Sequence, residues 1–286
     1  MPKIGIIGGS GLYDIAELQD RQRLKVETPF GSPSDELLLA KFKGKGIVFL
    51  SRHARGHRFS PGQINYRANI YAMKSQGVER IISVTACGSL KDELKPMDFV
   101  IPDQFVDRAS QSRKHTFFDE GITAHISFAH PVCNDLSERL NSAARKTGVC
   151  VHRGGTYLNI EGPQFSTLAE SNLYRDWGMD IIGMTNMTEA RLAREAEICY
   201  ATLAAVTDYD CWHKSHASVS VEMIMGNLKK NVENSKRILM EAITQISDKR
   251  DCSCQEALRY SIVTAPELIP EETKKRLKII IGKYIK

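Results

Sequence analysis

Apolar, β-branched runs that stop at glycine, hydroxyl or charged residues recur along this chain. Segments with helical spacing of apolar residues lie between them. Apolar strands that alternate with helices are typical of a sheet covered on both faces. We therefore predict an α/β fold with a mixed, mostly parallel twisted sheet flanked by helices on both faces. The clearest runs are Lys3 to Ile7, Gly46 to Ser51, Arg80 to Val84, Phe99 to Pro102 and Ile198 to Val206.

The same patterns predict the other elements and the domain organisation. The length of 286 residues allows one large domain. We predict a main domain over 1–247 and a C-terminal helical extension over 248–286, packed on the same domain or on a neighbouring subunit. Strands are expected at Cys150 to Ile160 and Met179 to Met184, helices at Pro61 to Met73, Asn134 to Lys146, Thr167 to Trp177, Glu189 to Glu197 and Val219 to Ser247, and a long loop at Asp107 to Gly121.

The charge pattern limits the classes of partner. A net charge of +5 is scattered along the chain and forms no basic stripe, which argues against nucleic acid. No apolar run approaches the roughly 18 residues of a membrane span, and the run from Ile4 to Ile7 is too short for a signal peptide. The sequence predicts a cytoplasmic protein without a membrane or nucleic-acid partner.

The seven cysteines fall into two groups. Cys252 and Cys254 flank a serine in a charged stretch, which fits either a disulfide or two exposed free thiols. A zinc site there needs two more ligands, and we expect none nearby. The other five lie in apolar or strand-like surroundings, where buried reduced thiols are expected: Cys87, Cys133, Cys150, Cys199 and Cys211.

Polar clusters follow several of the predicted strands. In open α/β sheets, ligands bind beyond the carboxyl ends of the strands, so we expect these clusters to line one pocket. They are Ser10 in the loop Gly8 to Gly11, Arg52 to His57, Thr85-Ala86, Met184-Thr185, and Asp208 to Asp210.

The first four clusters carry the donors that a tetrahedral oxyanion binds. Hydroxyls, a guanidinium, an imidazole and the backbone N–H groups of a glycine loop are all present. Each cluster alone also fits an ordinary turn or a solvated surface. The spacing Gly5-x-x-Gly8-Gly9-x-Gly11 departs from the dinucleotide pattern G-x-G-x-x-G, which argues against a dehydrogenase.

Asp208 and Asp210 form a pair of carboxylates at positions i and i+2. In an extended segment both side chains point to the same side. Two carboxylates that share a partly buried site cannot both ionise at low cost, so one apparent pKa rises. A protonated acid of this kind can donate to the leaving group of a reaction. A metal site or a turn at the strand end is the alternative interpretation.

With these clusters, further stretches in the same order make the chain resemble 5′-methylthioadenosine phosphorylases and, more broadly, the trimeric purine nucleoside phosphorylases. The resemblance runs from residue 3 to about residue 245. It implies the nucleoside phosphorylase fold and a homotrimer. The matching stretches include Gly5 to Leu12, Thr28 to Gly31, Ile64 to Ile70, Thr85 to Leu90, Ile160 to Pro163, Gly183 to Thr185 and Thr207 to Asp210.

The resemblance also implies roles for single residues. For the base, Asp208 faces N7 and the 6-amino group, and Asp210 accepts from the 6-amino group. The implied phosphate ligands are Ser10, Arg52, His53, Thr85, Ala86 and Thr185. The implied nucleoside contacts are Met184 under the ribose, Phe165 and Ser166 beside the purine, and His125, Val221 and Ile224 around the 5′-alkylthio group, with His125 and a residue near Val263 as candidates for a contribution from the neighbouring subunit.

The implied reaction is phosphate-dependent cleavage of 5′-methylthioadenosine to adenine and 5-methylthioribose 1-phosphate, in purine and methionine salvage. Phosphate is a co-substrate of this pentosyltransferase, and no metal or organic cofactor is expected. The alternatives are a broader phosphorylase of 6-oxopurine nucleosides or methylthioinosine, and a non-catalytic nucleoside-binding protein. Three sites depart from the family pattern: Ala54 and Gln164 replace a common Gly and Arg, and Asn186 to Thr188 replace a common Thr/Val-Val-Pro.

Overall fold

The computed structural model describes residues 3–109, 113–213 and 221–285, with Ser10 and 221–225 described by their backbone alone. The strands are β1 Lys3–Gly8, β2 Gln19–Leu24, β3 Leu37–Phe42, β4 Lys45–Ser51, β5 Val78–Ser89, β6 Phe99–Ile101, β7 Gln104–Arg108, β8 Val151–Arg153, β9 Thr156–Ile160, β10 Ile181–Gly183 and β11 Cys199–Asp208. The helices are α1 Tyr66–Ser75, α2 Asn134–Lys146, α3 Leu168–Asp176, α4 Asn186–Glu195, α5 Val221–Gln245, α6 Glu271–Arg276 and α7 Lys278–Ile281. Short 3₁₀ turns lie at Ser10–Tyr13, Pro61–Gln63, Ser253–Glu256 and Pro266–Leu268.

These strands form one mixed sheet with β5 near its centre. β1 runs parallel to both β4 and β5, and β11 runs parallel to β5. At its carboxyl end β5 changes partner, so that Gly88 and Ser89 pair antiparallel with β10. β10, β9 and β7 continue the sheet in parallel, while β2 and β3 form an antiparallel edge beside β4. The predicted mixed sheet is confirmed.

Helices cover the sheet on both faces, as predicted. On one face, side chains of α2 and α5 such as Leu140 and Leu239 join those of the strands in one core cluster. On the other face, α1 and α4 contribute to a second cluster. C-terminal side chains such as Leu258 and Ile280 lie in this second cluster, so the C-terminal segment packs on the core of its own chain. The boundary at residue 247 stays a prediction.

Two strands differ from their predicted extent. β5 continues through Thr85 and Ala86 to its end at Ser89, so these two residues lie within a strand and not after one. The segment predicted as a strand from Cys150 is two strands, β8 and β9. Gly154 and Gly155 separate them with φ values of +96° and +103°, which are accessible to glycine and end the extended conformation.

Smaller differences concern the ends of other elements. β7 occupies the first residues of the predicted loop that begins at Asp107. α4 begins at Asn186, three residues before the predicted start at Glu189, and α5 begins at Val221. Within the described residues, the helices are too short or too polar to cross a lipid bilayer.

The predicted burial of the five apolar-region cysteines is partly confirmed. All seven thiols are free. Cys87, Cys133 and Cys199 are buried as predicted, but Cys150 is exposed and Cys211 is half-buried. Cys150 precedes the short strand β8, whose three residues are only half-buried.

The predictions for the Cys-Ser-Cys motif are wrong in two respects. Cys254 is buried and Cys252 is half-buried, so they are not two exposed thiols. The expectation that no further metal ligand lies nearby is also wrong, because the Sγ atoms of Cys133 and Cys199 lie within 4.8 Å of those of Cys252 and Cys254. These cysteines are distant in sequence and are brought together only by the tertiary fold.

Candidate active site

The carboxyl ends of β1 and β4 meet the middle of β5 at Arg52. Its backbone N–H donates to the carbonyl oxygen of Gly8 at 3.0 Å, and its Nη1 donates to the carbonyl oxygen of Val84 at 3.0 Å. The glycine loop after β1 and the residues Thr85 and Ala86 after Val84 are therefore held close to Arg52. The structure thus brings three of the predicted clusters together.

The guanidinium of Arg52 is enclosed by protein partners. Nε and Nη2 donate to the two carboxylate oxygens of Glu189, and Nη2 also donates to Ser83 Oγ at 2.6 Å. Arg52 is 2% exposed and Glu189 is 1% exposed. Burial opposes the charge on Arg52, but the neighbouring Glu189 carboxylate outweighs it and raises the pKa of the guanidinium. The guanidinium fork therefore faces a buried carboxylate.

Asn186 extends this buried network to Thr185. Its Nδ2 donates to the hydroxyls of Ser83, Tyr200 and Thr202 at 2.9–3.1 Å. Thr185 immediately precedes α4, and its hydroxyl donates to Asn186 Oδ1 at 3.2 Å. The departure from the family pattern at Asn186 therefore has a structural account, because its amide ties the start of α4 to three strand hydroxyls.

His53 is a neutral imidazole beside Arg52. Its Nδ1 lies 2.8 Å from the carbonyl oxygen of Phe59, and its ring stacks on His57 with the centroids 4.2 Å apart. Burial, with a further contribution from the positive charge of Arg52, lowers the pKa of His53 to about 4. Because a carbonyl oxygen only accepts hydrogen bonds, Nδ1 carries the proton and Nε2 is the acceptor.

Thr85 and Ala86 interrupt the burial of the central strand. β5 is buried from Arg80 to Val84, whereas Thr85 is half-buried and Ala86 is exposed. The Thr85 hydroxyl donates to the carbonyl oxygen of Ala86 at 3.1 Å. An exposed residue in a central strand between two covered faces marks an opening in the layer above the sheet.

The two carboxyl groups lie at the end of β11, against β5. A Cβ atom at Gly88 would meet Asp208 Oδ1 at 3.1 Å and Asp210 Cβ at 3.4 Å, so the pair packs closely against this strand. Asp208 accepts from the Thr207 hydroxyl at 2.6 Å and from the backbone N–H of Asp210 at 2.8 Å. The strand ends at Asp208, and Asp210 has φ +52°, so the extended geometry assumed for the pair is wrong beyond Asp208.

Both carboxyl groups have a raised pKa. Burial raises the pKa of Asp208, and the hydrogen bond from Thr207 opposes this. Burial also raises the pKa of Asp210; the hydroxyl of Ser171 opposes that rise, and the charge of Asp208 adds to it. The predicted rise is confirmed in direction, but burial contributes more than the repulsion between the two carboxylates.

The loop between β9 and α3 lies beside this pair. The Cys211 thiol donates to the carbonyl oxygen of Ser166 at 3.4 Å, while the Ser166 hydroxyl is buried without a hydrogen-bond partner among the described residues. Phe165 is 60% exposed. At the other end of the loop, the Met184 side chain packs on Gly162, at which a Cβ atom would clash with Met184 Sδ. Ser166 is thus adjacent to the aspartate pair, and Met184 contacts the start of the same loop.

Arg113 was not anticipated from the sequence. It is buried, and it donates to Glu161 Oε1 at 3.1 Å and to the carbonyl oxygen of Met184 at 2.7 Å. These bonds fix the loop before Phe165 to the end of β10. An arginine within a polar, loop-like segment gives no sequence signal for burial, so only the structure identifies this role.

The predicted 5′-alkylthio residues are not all brought to the pocket. His125 is exposed, and its backbone N–H donates to the carbonyl oxygen of Ser261. Val263, 64% exposed, pairs through its backbone with Thr123 nearby. Within one chain His125 and Val263 therefore lie side by side on the surface.

Val221 and Ile224 lie in the first turns of α5, as predicted, but their side chains, like that of Ser10, fall outside the described part of the structure. The same helix is tied to the end of β11. Asn227 and Asn231 donate to the carbonyl oxygens of Thr207 and Val206 at 2.8 and 2.9 Å. The first turns of α5 therefore begin close to Asp208.

The sequence matches the family model described as "Phosphorylase superfamily" over residues 3–244. The chain belongs to the phosphorylase superfamily. Among curated members, it is 57% identical to the S-methyl-5′-thioadenosine phosphorylase of Geobacter sulfurreducens, with 99% of each chain covered. It is 54% identical to the protein of the same name from Koribacter versatilis, covering 99% of this chain and 96% of the relative.

Solved structures of phosphorylase superfamily members have the same fold. A methylthioadenosine phosphorylase from an antarctic soil metagenomic library superimposes with a TM-score of 0.94 at 47% identity, covering 98% of both chains. The methylthioadenosine phosphorylase from Schistosoma mansoni, in complex with adenine, gives a TM-score of 0.85 at 36% identity, covering 91% of this chain and 96% of that one. The expected nucleoside phosphorylase fold is confirmed.

Proposed function

We infer that this protein catalyses the phosphate-dependent cleavage of 5′-methylthioadenosine to adenine and 5-methylthioribose 1-phosphate. One observation carries the proposal: β5 joins the two halves of the site. Its opening at Thr85 and Ala86 adjoins Arg52, and Gly88 contacts Asp208. Three strand residues span roughly 10 Å, which is the scale of a ribose with its purine. The names of the full-length relatives described above support the same reaction.

Phosphate is proposed to bind at the opening in β5. The expected ligands are Ser10, Arg52, His53, Thr85, Ala86 and Thr185. Since the guanidinium of Arg52 is also paired with Glu189, we propose that this pair holds Arg52 in place beside the anion. Among the described residues, the hydroxyls of Thr85 and Thr185 each bond to an adjacent residue, and each can rotate toward an anion. The N-terminus of α4 at Thr185 adds a favourable dipole.

The aspartate pair is proposed to receive the base. As the glycosidic bond breaks, the ribose gains oxocarbenium character and phosphate stabilises the cation before it captures C1′. Asp208, whose pKa is raised by burial, donates a proton to N7 of the leaving purine. Asp210 accepts from the 6-amino group. Positioning and electrostatics supply most of the acceleration.

The same pair favours a 6-aminopurine. A carboxylate accepts hydrogen bonds from an amino group but repels the carbonyl oxygen of a 6-oxopurine. Adenine nucleosides are therefore the proposed substrates, and purine and methionine salvage are the proposed pathways. We further propose that the reaction needs no organic cofactor and no metal at this site, and that the protein acts in the cytoplasm.

A homotrimer is proposed from the surface around His125. His125 and Val263 lie together there, and Tyr260, 88% exposed, is close in the chain. Exposed apolar groups beside a histidine suit a subunit contact. We propose that this surface completes the 5′-alkylthio pocket of the neighbouring subunit, opposite Val221 and Ile224.

The test is a substrate panel with and without phosphate. Base release is measured from 5′-methylthioadenosine, adenosine, inosine and methylthioinosine. We expect phosphate-dependent release of adenine to be fastest from 5′-methylthioadenosine. Faster cleavage of inosine or methylthioinosine contradicts the base assignment, and tight nucleoside binding without product contradicts catalysis.

A further inference from the structure

Four cysteines from three separate elements converge outside the active site. Cys133 immediately precedes α2, Cys199 is the first residue of β11, and Cys252 and Cys254 lie in the C-terminal segment. Their four Sγ atoms all lie within 4.8 Å of one another, and Cys199 and Cys252 are 3.2 Å apart. Three of these cysteines are buried and Cys252 is half-buried.

Hydrogen bonds to backbone carbonyl oxygens hold the segments that carry the four cysteines close together. The N–H of Cys133 donates to the carbonyl oxygen of Tyr200 at 2.8 Å, which places Cys133 beside Cys199. Arg250 donates to the carbonyl oxygen of Glu197 at 2.9 Å, and this bond brings the segment that carries Cys252 to the start of the same strand. The cluster therefore lies where the C-terminal segment docks on the core.

The arrangement has the size of a four-thiolate metal site. With zinc–sulfur bonds of about 2.3 Å, the sulfurs of a regular tetrahedron are about 3.8 Å apart. Four sulfurs that are all within 4.8 Å of one another surround one ion and leave no room for several metal atoms, so an iron–sulfur cluster does not fit. Soft thiolates select zinc over the hard ions magnesium and calcium.

We propose that Cys133, Cys199, Cys252 and Cys254 bind one structural zinc ion, which fastens the C-terminal segment to β11. Each thiol releases its proton to solvent as it binds, so four thiolates surround Zn²⁺ in a closed tetrahedral site. All four positions are filled by protein, so this ion holds no water for catalysis. It is distinct from the aspartate pair, which lies at the other end of the same strand.

A comparison within the molecule supports this choice. Asp98, Cys150 and His152 also lie close together, but they offer three ligands, and Cys150 is exposed. There His152 Nε2 and Asp98 already pair at 2.9 Å. The four-cysteine cluster instead has a complete set of ligands of one chemical type, largely removed from water.

The experiment measures metal in the full-length protein. The wild-type chain is purified without chelator, and zinc is determined by elemental analysis and by release on thiol modification. We expect about one zinc ion per chain. Cys252→Ser and Cys199→Ser should lose the zinc, whereas the matched control Cys87→Ser, a buried cysteine outside the cluster, should keep it.

Two further measurements keep the proposal testable if a variant folds poorly. Wild-type protein stripped with a chelator and refilled with cobalt should show the strong visible absorption of a tetrahedral thiolate site. Zinc removal should lower its melting temperature, and zinc should restore it. Wild-type protein that takes up neither metal overturns the proposal, as do intact masses that reveal disulfides among these cysteines in place of bound zinc.

Discussion

The two ends of the candidate pocket hold their charges in opposite ways. At the anion end, Arg52 and Glu189 are paired, and both are buried. At the base end, Asp208 and Asp210 have no described cationic partner, and burial raises the pKa of both. The Arg52 guanidinium at the first end is paired by an internal carboxylate before any ligand arrives. The base end retains acidic groups that can form hydrogen bonds with a ligand.

This difference separates charged groups that stabilise the fold from acidic groups that take part in the reaction. A buried ion pair is costly to break, because one partner is left uncompensated. An unpaired buried acid destabilises the fold when it ionises. Burial therefore keeps it protonated, and the protonated acid can act as a proton donor. Variants at the anion end should therefore act mainly on folding, and variants at the base end mainly on turnover.

The largest effect is expected for Asp208→Asn. Because the amide cannot protonate N7, kcat with 5′-methylthioadenosine should fall by about 10²–10⁴-fold. Cleavage of methylthioinosine should fall less, since the amide can donate to a 6-oxo group. Steady-state rates on both substrates measure this, and urea unfolding should show little loss of stability.

Asp103→Asn is the matched control for this variant, because it makes the same substitution at a half-exposed carboxylate. It should leave both rates unchanged. An unaltered ratio between the two substrates in Asp208→Asn contradicts the assigned role.

The second-largest effect is expected for Glu189→Gln. This change leaves the guanidinium of Arg52 buried without its counter-charge, which should cost about 3–5 kcal/mol of unfolding free energy. Urea unfolding followed by circular dichroism measures the loss. Glu138→Gln removes one of several partners of Arg153 in a partly exposed pair and should change the unfolding free energy by at most about 1 kcal/mol. Equal stability of the two variants refutes the contrast between the ends.

Most of the sheet could be predicted because its inner strands are apolar runs. β2 could not be predicted, because its sequence Gln-Asp-Arg-Gln-Arg-Leu is polar. The strand lies exposed at the edge of the sheet beside β3. The extent of β5 was also missed. Thr85 and Ala86 resemble the start of a turn, and only pairing with Ala204 and Ala205 of β11 keeps them in a strand.

The predicted clusters could be grouped because parallel strands end at one edge of a sheet. The buried hydrogen-bond partners of these clusters could not be predicted. Ser83 and Tyr200 belong to apolar runs, and they meet Glu189 only through the register of β5 with β11 and the position of α4. The convergence of Cys133 with Cys254 is likewise a product of tertiary structure. Non-local contacts of this kind leave no periodic signal in the sequence.

The two ends should also respond to pH in opposite directions. The pKa of His53 is lowered to about 4, so its contribution to stability is present above the unfolded value near 6.5 and is lost as the pH falls toward 4. Asp208 and Asp210 have raised pKa values, so their contribution is present at low pH and is lost as the pH rises above 3.8. The two trends partly cancel in the wild type.

Single variants separate these trends. His53→Gln should remove up to about 3 kcal/mol of the rise in stability between pH 4 and 6.5. Asp208→Asn should reduce the opposing fall above pH 3.8. Denaturant midpoints across this range measure both changes. If His53→Gln steepens the rise, the imidazole is charged in the native state and the neutral assignment is wrong.

The smallest effect is expected for Ser166→Ala, which tests whether the base end keeps a polar group for its ligand. The Ser166 hydroxyl is buried and has no hydrogen-bond partner among the described residues. If it bonds the purine, its removal costs about 1 kcal/mol of binding, or roughly fivefold in KM for 5′-methylthioadenosine. The free protein should lose little stability, because the Ser166 hydroxyl lowers the pKa of Asp210 less than the Ser171 hydroxyl does.

Ser137→Ala is the matched control, since the Ser137 hydroxyl on α2 is also buried without a described partner. Both variants lose a hydroxyl of the same kind, and only Ser166 lies beside the aspartate pair. A rise in KM for Ser166→Ala alone assigns its hydroxyl to substrate. Equal KM values for the two variants make the Ser166 hydroxyl a packing feature, and the base end then relies on its carboxyl groups alone.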